Sequence, residues 1–185
     1  MISSVLAVFA TTSVFAEEES VWKFDDEHRV LKEYTGEDRE VTVPDTLMGC
    51  SVDGVGSNAF CSSEITSLTF PETVQYLNAS VVAHCESLSE LKLPQSLVMI
   101  GDGCFVATAL QKVTIPANVR VFGEHAFSFC QKLRSITFEG ECPVFGGECF
   151  VACPDDLTLY VPDDQLEAYQ EAVAEIKDLY PVEVA

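Results

Sequence analysis

The sequence predicts a repeat solenoid of about five stacked β-rich rungs, each 22–23 residues long. One landmark is the residue after each short strand-like run, with steps of 27, 23, 22, 23 and 23 residues, at Pro44, Pro71, Pro94, Pro116, Glu139 and Pro162. A second landmark is the large apolar residue of the following segment, with steps of 22, 23, 22 and 23 residues, at Phe60, Val82, Phe105, Phe127 and Phe150. Two independent landmarks with one period indicate an internal repeat, which we place at residues 41–162.

Length and composition agree with a single globular unit. The chain has 185 residues, of which 48% are hydrophobic, and this excludes a disordered protein. The formal net charge is −20, and no stretch concentrates Lys or Arg, so nucleic acid and anionic lipid surfaces are poor partners. A large charge of one sign also keeps a protein soluble, which is a sufficient explanation for the acidity.

Residues 1–16 contain no charged side chain and are followed at once by three glutamates. This apolar run, with Val14 and Ala16 three residues and one residue before the predicted cleavage point, predicts a secretory signal peptide. The run is shorter than the roughly 20 residues that a membrane-spanning helix needs. We therefore expect a protein that is secreted or displayed at the cell surface, with no membrane insertion of its mature chain.

The N-terminal cap is predicted at residues 17–40, because the first rung of a solenoid must cover an open core end. It contains predicted strands at 22–24 and 30–34, with a turn at Gly36. The long first step of the repeat is assigned to an insertion at residues 48–52, predicted to be a loop that carries Gly49 and Gly54.

Each rung begins with an apolar–polar–apolar run, the pattern of a strand with one buried face, at residues 68–70, 91–93, 113–115, 136–138 and 159–161. The Pro that usually follows cannot donate to a strand ladder and therefore ends the strand. Apolar residues three and six positions later are predicted to point inward, at Val74, Leu97, Val119 and Cys142 and at Val55, Leu77, Ile100, Phe122 and Phe145.

The column that follows these apolar residues holds Gly56, Asn78, Gly101, Gly123 and Gly146. Because Gly adopts positive φ at the lowest cost and Asn is its commonest substitute, this column is predicted to be a turn with a left-handed residue at its corner. On this interpretation Asn78 takes the place of a Gly, although Asn78-Ala79-Ser80 also matches the acceptor pattern for N-glycosylation.

The eight cysteines are not predicted to form a disulfide framework: five lie in packing columns, and Cys50, Cys61 and Cys142 have no evident partner. One column holds Cys85, Cys130 and Cys153 together with Ser63 and Thr108, and another holds Cys104 and Cys149 together with Ala59, Val81 and Ala126. Positions at which Cys alternates with Ala, Ser and Thr are small and apolar-tolerant. Since stacked rungs lie ~4.8 Å apart, Cys130 and Cys153 could come within reach of a disulfide bond, and this alternative stays open.

The C-terminal cap, residues 163–185, is predicted to be helical. Asp163 and Asp164 after Pro162 suit a helix N-terminus, and Pro181 lies just beyond the expected end. Between them, apolar residues recur at helical spacing, at Leu166, Tyr169, Val173 and Ile176. We expect a short amphipathic helix that closes the stack.

The repeat pattern L-x-x-I-x-L-P-x-x-V-x-x-I-G-x-x-A-F-x-x-C resembles the BspA-like leucine-rich repeat of bacterial and some protozoan surface proteins. Residues 110–130, LQKVTIPANVRVFGEHAFSFC, fit it nearly position for position, and residues 88–105, LSELKLPQSLVMIGDGCF, fit almost as well. The resemblance covers roughly residues 21–180. It departs from the pattern at Asn78, Val82, Thr108 and Glu139, and the pattern includes no catalytic element.

The resemblance implies a leucine-rich repeat domain with parallel strands on its concave side, and a secreted or cell-surface, adhesin-like interaction protein. The outward residues of the strands then form two polar columns, a possible interaction surface, at Ser67, Glu90, Lys112, Ser135 and Thr158 and at Thr69, Lys92, Thr114, Thr137 and Tyr160. The expected partner is a protein or glycan of the host matrix or of other cells, bound by a monomer. A surface that is merely solvated stays the alternative for any single residue.

The sequence gives less support to other functions. A glycan- or mucin-binding module and an exported immunomodulatory protein, recognised through its whole acidic surface, stay alternatives. A thiol enzyme that pairs Cys85 or Cys130 with His84 or His125 is disfavoured, because adjacent residues point apart and no base–nucleophile spacing recurs. We expect no cofactor and no metal, since no cysteine pair has C-x-x-C spacing.

Overall fold

The structure is a computed structural model that describes residues 21–175 and 180–185. The predicted signal peptide, residues 1–16, and Ile176 of the predicted C-terminal helix lie outside the described residues. The strands in chain order are β1 (Trp22–Asp25), β2 (Val30–Tyr34), β3 (Glu40–Thr42), β4 (Thr46–Leu47), β5 (Cys50–Ser51), β6 (Gly54–Val55), β7 (Ser67–Thr69), β8 (Tyr76–Leu77), β9 (Glu90–Lys92), β10 (Met99–Ile100), β11 (Lys112–Ile115), β12 (Val121–Phe122), β13 (Ser135–Phe138), β14 (Val144–Phe145), β15 (Thr158–Val161) and β16 (Val182–Val184).

The predicted solenoid is confirmed, with about seven turns once the caps are included. Its first sheet contains the strands predicted from the apolar–polar–apolar runs, which pair in parallel from one rung to the next. The middle residues of these strands, such as Leu68, Ile136 and Leu159, are fully buried, while their neighbours face outward. The period-two alternation therefore sets which face of the first sheet joins the core.

The first sheet has two parts, which the sequence did not predict. One part has the order β3-β7-β9 and the other β11-β13-β15-β16, and within the described residues no strand pairing joins β9 to β11. Leu91 of β9 is only partly buried, whereas Val113, its counterpart in β11, is buried.

A second, seven-stranded sheet has the order β1-β2-β6-β8-β10-β12-β14. Most of its members are two-residue strands that end on the predicted inward column, and Leu77, Ile100 and Phe122 of that column are buried. The two predicted cap strands are present as β1 and β2. They pair antiparallel with each other, and β2 pairs in parallel with β6, so the cap continues the second sheet.

The third side of each rung is a run of turns, at residues 57–62, 79–84, 102–107, 124–129 and 147–152. These turns also hydrogen-bond from rung to rung: the backbone N–H of Phe60 donates to Val81, that of Phe105 to Ala126 and that of Phe127 to Cys149, over 2.8–2.9 Å. Every side of the solenoid thus has backbone hydrogen bonds along its axis, which satisfies groups that the core would otherwise bury unpaired.

The glycine column is not left-handed, and the prediction of a positive φ at these positions was wrong. Positive φ occurs two and six residues later, at Asn58, Ser80, Gly103, His125 and Glu148 and at Ser62, His84, Ala107, Phe129 and Ala152. At Gly101, Gly123 and Gly146 successive rungs approach too closely for a Cβ atom, whereas Gly56 has more room and Asn78 carries a side chain at the equivalent position. A Cβ on Gly101 would lie 2.6 Å from the carbonyl carbon of Asn78, and one on Gly146 would lie 2.6 Å from that of Gly123.

The insertion at residues 48–52 is a hairpin rather than a loop. Strands β4 and β5 pair antiparallel around Met48 and Gly49, which both have positive φ. Gly54, which was predicted to belong to this insertion, lies in β6 of the second sheet instead. The extra residues therefore leave the rung and return to it without shifting the register of the sheets.

Aromatic side chains stack along the solenoid axis. Phe105, Phe127 and Phe150 lie in successive rungs, with ring centroids 4.7 Å apart for the first pair and 6.5 Å for the second. Tyr180 ends the row with an edge-to-face contact to Phe150, with ring centroids 6.0 Å apart. Such pairs contribute roughly 0.5–1.5 kcal/mol beyond burial of their area. Val82 interrupts the column between Phe60 and Phe105.

The predicted C-terminal helix is present as a 3-10 turn, Asp163–Gln165, followed by α1, Leu166–Glu175. Tyr169 anchors α1: its ring is buried against Phe138, and its hydroxyl donates to the carbonyls of Gly140 and Glu141. Strand β16 was not predicted. It pairs in parallel with β15 and extends the first sheet after the helix.

The close approach at the glycine column yields a test with a matched neighbour. Gly146→Ala adds a methyl group against the backbone of the previous rung, and we expect the free energy of unfolding to fall by about 1–3 kcal/mol. Gly147→Ala meets no atom within 4 Å and has no positive φ, so its unfolding midpoint should stay unchanged or rise slightly. Urea unfolding followed by circular dichroism measures both, and equal midpoints for the two variants would contradict the close-approach explanation.

Candidate functional site

The outward face of the first sheet carries the two predicted polar columns. Strand register places Ser67 beside Glu90 and Thr69 beside Lys92 in the N-terminal part. In the C-terminal part, Lys112, Ser135 and Thr158 form one row and Thr114, Thr137 and Tyr160 the other. The alternation that buries Leu68 and Ile136 turns these ten side chains outward, all of them half-buried or exposed.

The break between β9 and β11 divides the two columns into a group of four and a group of six residues. Glu90, Lys92 and Lys112 lie around this break and are exposed. Within residues 21–175 and 180–185, no hydrogen bond or ion pair occupies the side chains of these three residues or of the other seven column residues. Their polar groups are therefore solvated in the protein by itself and available to another molecule.

A third outward column, on the second sheet, was not predicted from the sequence. Register in the second sheet aligns Tyr76, Met99, Val121 and Val144, and the last two are 44% and 73% exposed. The signal was present in the sequence as the residue before each inward apolar position. The interpretation overlooked it, because two-residue strands give no alternation to identify them.

The thiols of the Cys85 column point into the core and join successive rungs. The Sγ atoms of Cys85, Cys130 and Cys153 donate to the carbonyls of Phe60, Phe105 and Phe127, respectively, at 3.0–3.1 Å. The hydroxyls that replace Cys in this column are neighbours of these thiols: Ser63 Oγ lies 3.4 Å from Cys85 and Thr108 Oγ1 3.3 Å from Cys130. The interpretation of these cysteines as packing residues is confirmed.

Cys130 has a free thiol, so the disulfide with Cys153 that the sequence left open does not form in this structure. Burial raises the pKa of the Cys130 thiol and of the Cys104 thiol, and the hydrogen bond from Thr108 opposes the shift at Cys130 only in part. Protonated, buried sulfur is a poor nucleophile.

The histidines of the disfavoured thiol-enzyme hypothesis face solvent. His125 is exposed and lies 3.5 Å from the carboxylate of Glu148, away from the buried Cys130. His84 is exposed while Cys85 is buried, and no hydrogen bond joins the two within the described part of the chain. The geometry brings no imidazole to a thiol.

A metal-binding cluster and a membrane-spanning helix are both absent from the described residues. No group of three or more His, Cys, Asp or Glu side chains in residues 21–175 and 180–185 could hold a metal ion. Within the same residues, no helix has the length and apolar character needed to cross a bilayer.

Comparison with solved structures finds the same fold in bacterial proteins. The pneumococcal vaccine antigen PcpA is 19% identical with a TM-score of 0.64, over 88% of this chain but only 45% of that one. A leucine-rich repeat protein of Bacteroides capillosus is 25% identical with a TM-score of 0.57, over 64% of this chain and 93% of that one. The T. pallidum leucine-rich repeat protein is 18% identical with a TM-score of 0.52, over 89% and 95%.

Comparison with protein-family models matches residues 53–177 to the BspA type leucine rich repeat region, in six copies. A search of the curated proteins found no match. This chain spans less than half the length of the pneumococcal antigen.

The buried thiols lead to a prediction about chemical labelling. In the native protein, Cys85, Cys104 and Cys130 should react with a thiol reagent far more slowly than the half-exposed Cys61, because the reagent reaches them only after local opening. In denaturant all eight thiols should react at similar rates. Mass spectrometry of the labelled peptides measures each site, and fast native labelling of Cys130 would contradict the rung-to-rung thiol contacts.

Proposed function

Because this chain belongs to the BspA-type leucine-rich repeat family, we propose that it is a secreted or cell-surface interaction protein whose outward polar columns bind a protein or glycan partner. Leucine-rich repeat folds are typically binding modules rather than enzymes. The proposed partner belongs to the host matrix or to other cells, and the proposed role is adhesin-like.

One observation carries the proposal: ten polar or hydroxyl-bearing side chains stand in two regular rows with no intramolecular partner among the described residues. Their polar groups are not used within the fold, unlike the hydroxyl of Tyr169, and stay available to a partner. Tyr160 is the aromatic member of the rows and half-buried, and aromatic residues are the usual anchors of binding surfaces.

Support for the location comes from the sequence and from the nature of the relatives. Residues 1–16 have the composition of a signal peptide. One structural neighbour is described as a vaccine antigen, and a surface location fits that description.

A second candidate function rests on the charge. The chain has a formal net charge of −20, and a cationic receptor could recognise this acidity without the two columns. An exported immunomodulatory protein of this kind is distinguished from an adhesin by whether binding depends on the column residues.

The test uses a triple variant of the C-terminal group, Lys112→Ala, Thr114→Ala and Tyr160→Ala. We expect its binding to surfaces coated with matrix proteins, mucin or host cells to weaken about tenfold or more, since loss of a central anchor costs more than 1 kcal/mol. Surface plasmon resonance and cell-adhesion counts measure the change.

The matched control replaces two residues on the other sheet, Val121→Thr and Val144→Thr, and should bind as the original chain does. Circular dichroism melting verifies that both variants are folded. Saturable binding that is equally strong in all three proteins, or that disappears only at high ionic strength, would favour the acidic-surface candidate. Absence of saturable binding to every surface would overturn the adhesin proposal.

A further inference from the structure

The first sheet begins with a strand whose outer edge is not covered by any described strand. β3 pairs only with β7. The carbonyl of Arg39 accepts from β7 and the N–H of Val43 donates to it, so alternate residues of β3 face β7. In a parallel ladder the residues between them, Glu40 and Thr42, direct their N–H and C=O groups to the opposite side. That side is a template for one more strand.

A groove of about 510 Å³ runs along this edge. The cap lines one wall with Trp22 and Tyr34, whose ring centroids are 4.6 Å apart, and β3 and the following hairpin line the other wall. The N–H of Tyr34 donates to Ala59, and its hydroxyl donates to Asp38 over 3.1 Å, which fixes the ring in the wall. The groove therefore has a rigid aromatic side and a side with unpaired backbone groups.

The charged side chains that line the groove are Asp38 and Glu40, and both are acidic. Asp38 accepts from the Tyr34 hydroxyl at the edge of the ring, and Glu40 lines the same groove. The two carboxylates form an environment for a cation through ion pairing. The net charge of −20 attracts a cationic segment over longer range. The groove thus offers unpaired backbone groups to an extended chain and acidic side chains to a basic one.

We propose that the edge of β3 binds an extended peptide segment of a partner protein, which adds a strand to the first sheet and places a Lys or Arg side chain between Trp22, Tyr34, Asp38 and Glu40. The backbone of Glu40 and Thr42 supplies the ladder, and the aromatic and acidic side chains select a basic residue. This inference does not rest on the proposed function, because none of the ten column residues lines the groove.

Two other occupants have the wrong charge. The residues that precede the cap include Glu17, Glu18 and Glu19, which Asp38 and Glu40 would repel. A second copy of the chain would bring the same acidic groove to the same edge. A basic segment of another protein meets neither obstacle.

The test exploits Trp22, which is the single tryptophan of the chain and lines the groove. The probe is a short synthetic peptide in which Lys alternates with Val, titrated at low ionic strength while Trp22 emission is recorded. We expect a saturable change in emission. Two peptides serve as controls: one with Glu in place of Lys, and one with the Lys–Val sequence but N-methylated backbone amides. Neither should change the emission, because the first lacks the cation and the second cannot pair as a strand.

Variants of the protein separate the two requirements. Thr42→Pro removes an edge N–H while leaving the pairing to β7, and should abolish the response. Asp38→Asn with Glu40→Gln should weaken the Lys–Val peptide about tenfold. The matched charge control, Glu167→Gln with Glu171→Gln on α1 at the other end of the solenoid, also removes two acidic charges and should bind as the original chain does. A circular dichroism melt of Thr42→Pro accompanies the titration, because this substitution can also prevent folding. If Thr42→Pro does not fold, the charge variants alone test the proposal.

Amide hydrogen exchange of the full chain decides whether the edge is open. Without peptide, the amides of Glu40 and Thr42 should exchange much faster than those of Val41 and Val43, and the Lys–Val peptide should slow them. Protection of Glu40 and Thr42 without peptide would mean that the chain's own residues or a second copy cover the edge, and would overturn the proposal. An emission response that is equal for the Lys, Glu and N-methylated peptides would overturn it as well. Neither result bears on the column variants.

Discussion

The structure depends on direct contact between the backbones of successive rungs. All three sides of the solenoid hydrogen-bond along its axis at the ~4.8 Å spacing of adjacent strands, except the first sheet between β9 and β11. At this spacing a Cβ on Gly101 or Gly146 collides with the rung before it, whereas flat rings such as Phe105 and Phe127 stack. The same spacing lets a thiol such as that of Cys130 reach a carbonyl of the previous rung. The repeated residues are therefore the ones that tolerate or exploit close backbone stacking.

The repeat period of the sequence predicted the architecture. Features that leave no mark on this period were either not predicted or predicted wrongly. The strands of the first sheet alternate over at least three residues, which is enough for a pattern, but the strands of the second sheet beyond the cap have only two. Glycine was misinterpreted because positive φ and close approach both select it. The left-handed positions gave only a weak signal. Asn58 and Gly103 are typical of positive φ, but Phe129 and Ala152 at equivalent places are not.

The polar columns and the groove differ in how far the sequence could locate them. The polar columns could be placed from sequence, because register follows once the repeat is aligned, and Ser135 stands between Lys112 and Thr158 as expected. The groove could not be placed, because it joins Trp22 and Tyr34 of the cap to β3 and the inserted hairpin. No spacing rule connects those segments; they meet only because β2 continues the second sheet while β3 begins the first.

The missing ladder between β9 and β11 gives the solenoid a mechanical weak point. In a linear array of units coupled to their nearest neighbours, each boundary has its own coupling energy. At this boundary the second sheet and the turns keep their hydrogen bonds, from the N–H of Gly123 to Ile100 and from the N–H of Phe105 to Ala126, but the first sheet contributes none within the described residues. Under tension we expect the array to part first at this boundary, which would separate the group of four column residues from the group of six.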